Sequence, residues 1–173
     1  IEPVICGNTL PTFYGGWTNN FRYKDFDLSI LFQYSGGNYI YNGTTATNSD
    51  MRYWNNTTDV LENYWTPERK DAKYAYPIYG DNYSNGSAKP ISDWVEKGDY
   101  LRLKNITLGY TLPKHIARYI GLTNGSLRVY VSIDNVATIT GYSGIDPEVG
   151  NYGLDAGIYP SSRFFNFGVN LNF

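Results

Sequence analysis

Hydrophobic and polar positions alternate along five stretches of this chain. Each stretch reads as a β-strand, because successive side chains of an extended backbone point to opposite faces. From Pro11 to Tyr23, Phe13, Trp17, Phe21 and Tyr23 share one parity while Tyr14, Gly16, Thr18, Asn20 and Arg22 share the other. Lys24-Asp25 is short enough for a tight hairpin turn into a second strand, Phe26 to about Tyr34, where Phe26, Leu28, Ile30, Phe32 and Tyr34 oppose Asp27, Ser29 and Gln33. A third strand spans Gly98 to Leu112. Its Leu101 and Leu103 have the opposite parity to Ile106, Leu108, Tyr110 and Leu112, so either a bulge near Lys104-Asn105 shifts the register or the upper part leaves the apolar environment. In the fourth, Leu127, Val129, Val131 and Ile133 alternate with Arg128, Tyr130, Ser132 and Asp134. The last runs from Arg163 to Phe173, with Phe165, Phe167, Val169, Leu171 and Phe173 on one face and Asn166, Gly168, Asn170 and Asn172 on the other.

The connections differ sharply in length. Gly36 to Lys97 loses all alternation and fills with Asn, Thr, Ser, Gly and Tyr; a loop so long is uncommon in a compact domain unless it has a function. Within it Asp59 to Tyr64 reads as a short helical piece ended by Trp65-Thr66-Pro67, and the remainder reads as irregular. Lys114 to Gly121 has room for one or two helical turns, and Thr138 to Ser162 is a second long loop, rich in Gly and Tyr. Short and long connections thus alternate, as the periplasmic turns and extracellular loops of outer-membrane barrels do.

Composition helps to choose the apolar neighbour, since a half-buried strand in a soluble sandwich alternates in the same way. Aromatic residues make up 17% of the 173 residues and Tyr alone fills 18 positions, with a net charge of −2. Mean hydropathy is −0.42, and no apolar run approaches the ~18–20 residues that a spanning helix needs. Tyr- and Trp-rich alternating strands of roughly 9–11 residues suit a membrane barrel. Five strands do not close one, because the smallest barrels have about eight. The chain opens I-E-P-V-I-C without a starting Met, and we expect it to be the tail of something longer. The fold class expected is all-β, an antiparallel transmembrane β-barrel segment of about five C-terminal strands. The alternative is a soluble, secreted, Tyr-rich β-domain that binds glycans.

Candidate chemistry is sparse. The near-neutral charge leaves no electrostatic footprint for nucleic acid, and Cys6, the sole cysteine, has no partner for an intrachain disulfide. His115, the sole histidine, reads as a solvated residue of a turn rather than a base or ligand. Asp146 and Glu148 flank Pro147 and read as a loop turn before a carboxylate pair or calcium site. Asp93, Glu96 and Asp99 read as a solvated loop rather than a metal site, and the N-x-S/T triplets at Asn42, Asn56 and Asn85 as ordinary polar loop sequence. No catalytic, cofactor or metal residues are expected. The aromatics of the first long loop carry more weight. Trp54, Tyr64, Trp65, Tyr76, Tyr79 and Trp94 are candidates for contact with substrate or a partner, although local packing uses the same side chains.

Several runs resemble a known family. G-D-Y-L-R-L-K-N-I-T-L-G-Y-T-L-P (Gly98–Pro113), L-R-V-Y-V-S-I-D-N-V (Leu127–Val136), G-Y-S-G-I-D-P-E-V (Gly141–Val149), Y-P-S-S-R (Tyr159–Arg163), the closing F-G-V-N-L-N-F and N-Y-W-T-P-E (Asn63–Glu68) resemble the C-terminal end of SusC/RagA-family TonB-dependent transporters. The departure is Asp134-Asn135-Val136, where the family more often carries a Gly- or Ala-Gln/Glu/Arg-Asn-Leu type of segment. The resemblance implies a 22-stranded barrel in the outer membrane of Bacteroidetes-like bacteria, plugged by an N-terminal domain that this chain lacks. It implies import of oligosaccharides or peptides with a SusD-like surface lipoprotein, driven by the TonB complex through the absent N-terminal region. It also implies contact with outer-membrane lipid and with the barrel-assembly machinery. The terminal strand is similar to the assembly signal of such barrels, polar-x-Gly-x-x-apolar-x-aromatic, at Asn166, Gly168, Leu171 and Phe173.

Overall fold

The computed structural model describes residues 3–50, 56–80, 92–119, 121–122, 125–149 and 151–172. These fall into two compact units. One comprises Thr12–Gly36, Asp99–Gly141 and Pro160–Phe173, and the other Ile1–Pro11, Gly37–Gly98 and Tyr142–Tyr159.

The first unit is built on a sheet of five strands, β1 (Phe13–Tyr23), β2 (Phe26–Gly36), β5 (Tyr100–Thr111), β6 (Ser126–Thr140) and β8 (Phe164–Asn172), side by side in that order and all antiparallel. These are the five strands read from the alternation. Lys24 turns the first hairpin with φ of 53°, in the left-handed region, and the amide of Thr111 closes onto the Asp25 carbonyl at 2.8 Å. Helix α3 (Lys114–Tyr119) occupies the expected helical turns between β5 and β6, with His115 exposed on it.

Register explains the parity break in β5. Phe26, Leu28 and Ile30 face Tyr110, Leu108 and Ile106, whereas Phe32 and Tyr34 face Leu103 and Leu101, so Lys104 is the extra residue of a bulge. Opposite it, β6 accommodates the shift between Asp134 and Ala137, where Asn135 takes a φ of 52°. Of the two readings open from sequence, the structure has the bulge. Its effect is to bring all the apolar residues of β5 onto one face.

That face carries no charge, and Asn19 of β1, opposite Ile30, is the polar side chain that interrupts its apolar rows. Val129, Val131 and Ile133 of β6 lie beside Val169, Phe167 and Phe165 of β8, and Trp17 stacks on Phe32 at 5.7 Å. Among the described residues no hydrophobic core backs it: Phe167 is 82% exposed and Trp17 61%. The opposite face is polar. Thr107, Asn105, Asp134 and Asn166 form a hydrogen-bonded ladder across β5, β6 and β8, in which both oxygens of Asp134 accept amide protons, from Asn105 at 2.7 Å and from Asn166 at 2.9 Å. Two runs quoted from the sequence also meet here. Arg163 of Y-P-S-S-R donates to the carbonyls of Asn135 and Val136, and Asn135 donates to the Ser162 carbonyl at 2.7 Å.

The second unit carries the core that the sheet lacks. Among the described residues, the buried hydrophobic side chains are Ile40, Ala46, Val60, Tyr74, Trp94 and Tyr142, all in this unit, and Ala117 of α3. The long loops are therefore not irregular excursions. They contain β3 (Tyr39–Asn42), helix α1 (Gly43–Asn48), helix α2 (Thr58–Glu62), β4 (Val95–Lys97) and β7 (Leu154–Asp155), and β4, β3 and β7 form a small sheet of their own.

Candidate functional site

The loop unit is organised around β3, which pairs antiparallel with β4 from its own loop and parallel with β7 from the other. The parallel pairing aligns Tyr41 with Leu154 and Asn42 with Asp155. Asn42 is wholly buried and links three segments. Its Oδ1 accepts the Thr45 amide at 2.9 Å, which caps the start of α1, while its Nδ2 donates to Glu96 at 3.0 Å and to Ser143 at 3.1 Å. Ser143 answers by donating its hydroxyl to Glu96 Oε1 at 2.7 Å and its amide to Oε2 at 2.8 Å. Glu96, expected as a solvated loop carboxylate, is instead a half-buried tie between the two loops.

Asp155 makes a second tie. It accepts the Tyr142 hydroxyl at 2.6 Å, the Gly157 amide at 3.0 Å and the Thr44 hydroxyl at 3.4 Å. Burial, and then the adjacent Asp155 carboxylate, push the Tyr142 phenol far above its ordinary value, so it remains a donor. At Glu96, burial pulls the carboxyl upward, but the hydrogen bonds from Ser143 and Asn42 outweigh it and the net shift is downward. A carboxyl lowered on folding contributes stability that is complete above its unfolded value and is lost as pH falls through the folded one. Asp59 is held down to about 2 by the Tyr74 hydroxyl, Lys73 and Asn63, and acts in the same direction. The protection of β3 and β7 amides against hydrogen exchange is therefore expected to fall as pH drops from 4.5 toward about 2. Glu96→Gln should flatten that dependence; protection independent of pH in the unaltered chain would contradict the assignment.

Ala46, Val60, Tyr74 and Trp94 form the core beneath, with Tyr41 and Tyr64 packed against it. Trp94 is 6% exposed, its ring 6.1 Å from that of Tyr74. This corrects its place among the expected contact residues, since a side chain enclosed in the core presents no surface to a ligand.

Two other candidates come together. Asn63 and Trp65 exchange backbone hydrogen bonds with Tyr74, at 3.2 and 2.9 Å, which holds Tyr64 alongside that strand-like stretch. Tyr64 then meets Tyr76 edge to face at 6.0 Å, and Trp65 stands exposed between them in sequence. Tyr79 follows Tyr76 and is also exposed, with Leu61 and Ile78 adding apolar surface. Trp54 lies outside the described residues, as does Phe173 of the terminal motif; Asn166, Gly168 and Leu171 lie on β8. The turn expected at Asp146 is present, the carboxylate accepting the Glu148 amide at 2.9 Å. Among the described residues, no group of three or more His, Cys, Asp or Glu side chains is placed to hold a metal ion. Asn42 and Ser143 were not legible as functional residues, because a buried amide and hydroxyl look like any loop Asn and Ser until the two loops are brought together.

No family model matches the chain. Curated relatives do. It is 35% identical over 186 residues to TonB-dependent receptor P3 of Formosa agariphila, covering 98% of this chain and 17% of the relative. Identity to TonB-dependent receptor SusC of Bacteroides thetaiotaomicron is 29% over 161 residues, covering 91% of this chain and 15% of SusC. Among solved structures, the RagAB peptide transporter superposes with a TM-score of 0.79 at 27% identity, over 98% of this chain and 18% of that one. The chain thus spans less than a fifth of the length of these relatives, which are receptors and a transporter. Sequence and fold together place it among the TonB-dependent receptors of the SusC/RagA kind.

Proposed function

We propose that this chain is the C-terminal part of the β-barrel of an outer-membrane, TonB-dependent transporter, which imports oligosaccharides or peptides together with a SusD-like surface lipoprotein. One observation carries the reading: five long antiparallel strands present a charge-free, largely apolar face with no core behind it among the described residues, while a separate unit of the chain holds the core. Strands of 9 to 15 residues suffice to cross a bilayer, for which roughly 9–11 are needed. Lipid covers the apolar face, and the polar face with its Asp134 ladder lines the lumen. The two outer strands pair with strands of the remaining barrel, since open edges are not tolerated in hydrocarbon.

Antiparallel order puts the strand ends that adjoin residues 1–11, 37–98 and 142–159 on one side of the sheet, and the two short connections on the other. With short turns in the periplasm, the loop unit belongs to the extracellular mouth. Tyr64, Trp65, Tyr76 and Tyr79 there offer ring faces and edges to a substrate or to the lipoprotein, and the TonB complex energises the full-length transporter.

In the full-length transporter, Trp65→Ala, Tyr76→Ala and Tyr79→Ala are each expected to weaken substrate uptake or copurification of the lipoprotein. Loss of a contact aromatic costs roughly 1–3 kcal/mol. Barrel assembly, read as heat-modifiable mobility on a gel, should be unchanged. Three variants that assemble, transport and copurify like the parent would remove the contact role.

A further inference from the structure

One row of directly opposed residues crosses all five strands on the polar face: Arg22, Asp27, Gly109, Tyr130 and Gly168. From Asp27 onward, present and absent side chains alternate along it. A Cβ on Gly168 would lie 2.2 Å from Cζ and 2.4 Å from Cε1 of Tyr130, so the tyrosine ring occupies the space that a side chain in β8 would fill. The same ring is met by the Arg128 guanidinium, 5.2 Å from the ring centroid. Arg128 is in turn held by Asp27, with Nε donating to Oδ1 at 2.8 Å and the second nitrogen to Oδ2. That ion pair passes over Gly109, where a Cβ would lie 2.3 Å from the guanidinium and 2.5 Å from the carboxylate. A side chain on Gly168 would have to displace the Tyr130 ring, and one on Gly109 the ends of Arg128 and Asp27.

We propose that this row is a register lock for the terminal strand. Alternation forbids a slip of one residue, because that would turn Phe165, Phe167, Val169 and Leu171 to the polar face. It is blind to a slip of two, which leaves the same residues on the apolar face. Gly168 is the sole glycine of β8, so a two-residue slip would set Asn166 or Asn170 against the ring of Tyr130. The seat therefore discriminates among the registers that the apolar pattern cannot. The same device appears in the first hairpin, where Phe13 lies over Gly36 and Tyr34 over Gly15. Gly168 thus has a role toward its neighbour strand that is separate from recognition of the terminal motif by assembly machinery.

This inference rests on the barrel reading, and the experiment separates the two. In the full-length transporter carrying Cys6→Ser, a disulfide between Ser126→Cys and Asn172→Cys reports the observed register, in which these side chains already hydrogen-bond. A disulfide between Ser126→Cys and Asn170→Cys reports a slip of two. Gly168→Ala is expected to lower the yield of heat-modifiable folded barrel by about tenfold, the scale of forcing a methyl group into filled space, and to favour the slipped disulfide in what remains. Adding Tyr130→Ala should restore both yield and register by emptying the seat. Gly168→Ala with normal yield and register would overturn the lock, as would failure of Tyr130→Ala to rescue it. A parent that is never heat-modifiable would overturn the barrel reading, and the lock with it.

Discussion

Expressed alone in buffer without detergent, this chain is expected to sediment as a polydisperse aggregate with no cooperative melting transition. The apolar face of the sheet stays open to water, with Phe165, Phe167, Val169 and Trp17 each more than half exposed. Each large apolar side chain left in water forgoes roughly 1.5–3 kcal/mol of burial. Strands β1 and β8 also present unpaired ladders, which are templates for association with other copies. Detergent covers the face but not the edges, so solubilised material should still be heterogeneous. Sedimentation velocity in the two conditions is the measurement; a monodisperse, cooperatively melting monomer without detergent would falsify the membrane assignment.

Trp94→Ala should unfold the loop unit while leaving the barrel assembled. The ring is enclosed with Ala46, Val60 and Tyr74, and removing a buried Trp side chain typically costs about 3–5 kcal/mol. Among the described residues of the unit, this is the cluster of buried hydrophobic side chains that pack on one another. The pairings that hold the five-stranded sheet together all lie within its own unit. The expected result in the full-length transporter is normal heat-modifiable mobility with new protease cleavage around residues 56–80. Trp65→Ala, at an exposed position, should leave cleavage unchanged. Transport loss in Trp94→Ala would then follow from lost folding, not from a lost contact. Unaltered cleavage in Trp94→Ala would mean that the cluster is not what holds the unit together.

These two outcomes trace the division between what the sequence discloses and what it does not. Strands β1, β2, β5, β6 and β8 were legible because period-two alternation is a local signal, strongest where one face is wholly apolar. The parity break between Leu103 and Ile106 was legible too, but the sequence left the Lys104 bulge as one of two readings, and only the register decides for it. The loop unit was not. Its strands β3, β4 and β7 are four, three and two residues long, too short for any period, and β3 and β7 are joined across more than a hundred residues. The short helix near Asp59 was read correctly from local preference alone. Residue type likewise could not separate Trp94 from Trp65: both are aromatics in one polar loop, and only the packing around Ala46 and Val60 puts one inside and leaves the other out.

The Asn42–Glu96–Ser143 tie and the β3–β7 pairing also set how such a mouth can diversify. Grafting one loop from a related receptor removes half of a joint whose other half stays behind: a foreign first loop strands Ser143 and Asp155, and a foreign second loop strands Asn42 and Glu96. The two excursions are accordingly a single unit of exchange, and chimeras made by swapping both together should retain a folded mouth where single swaps lose it.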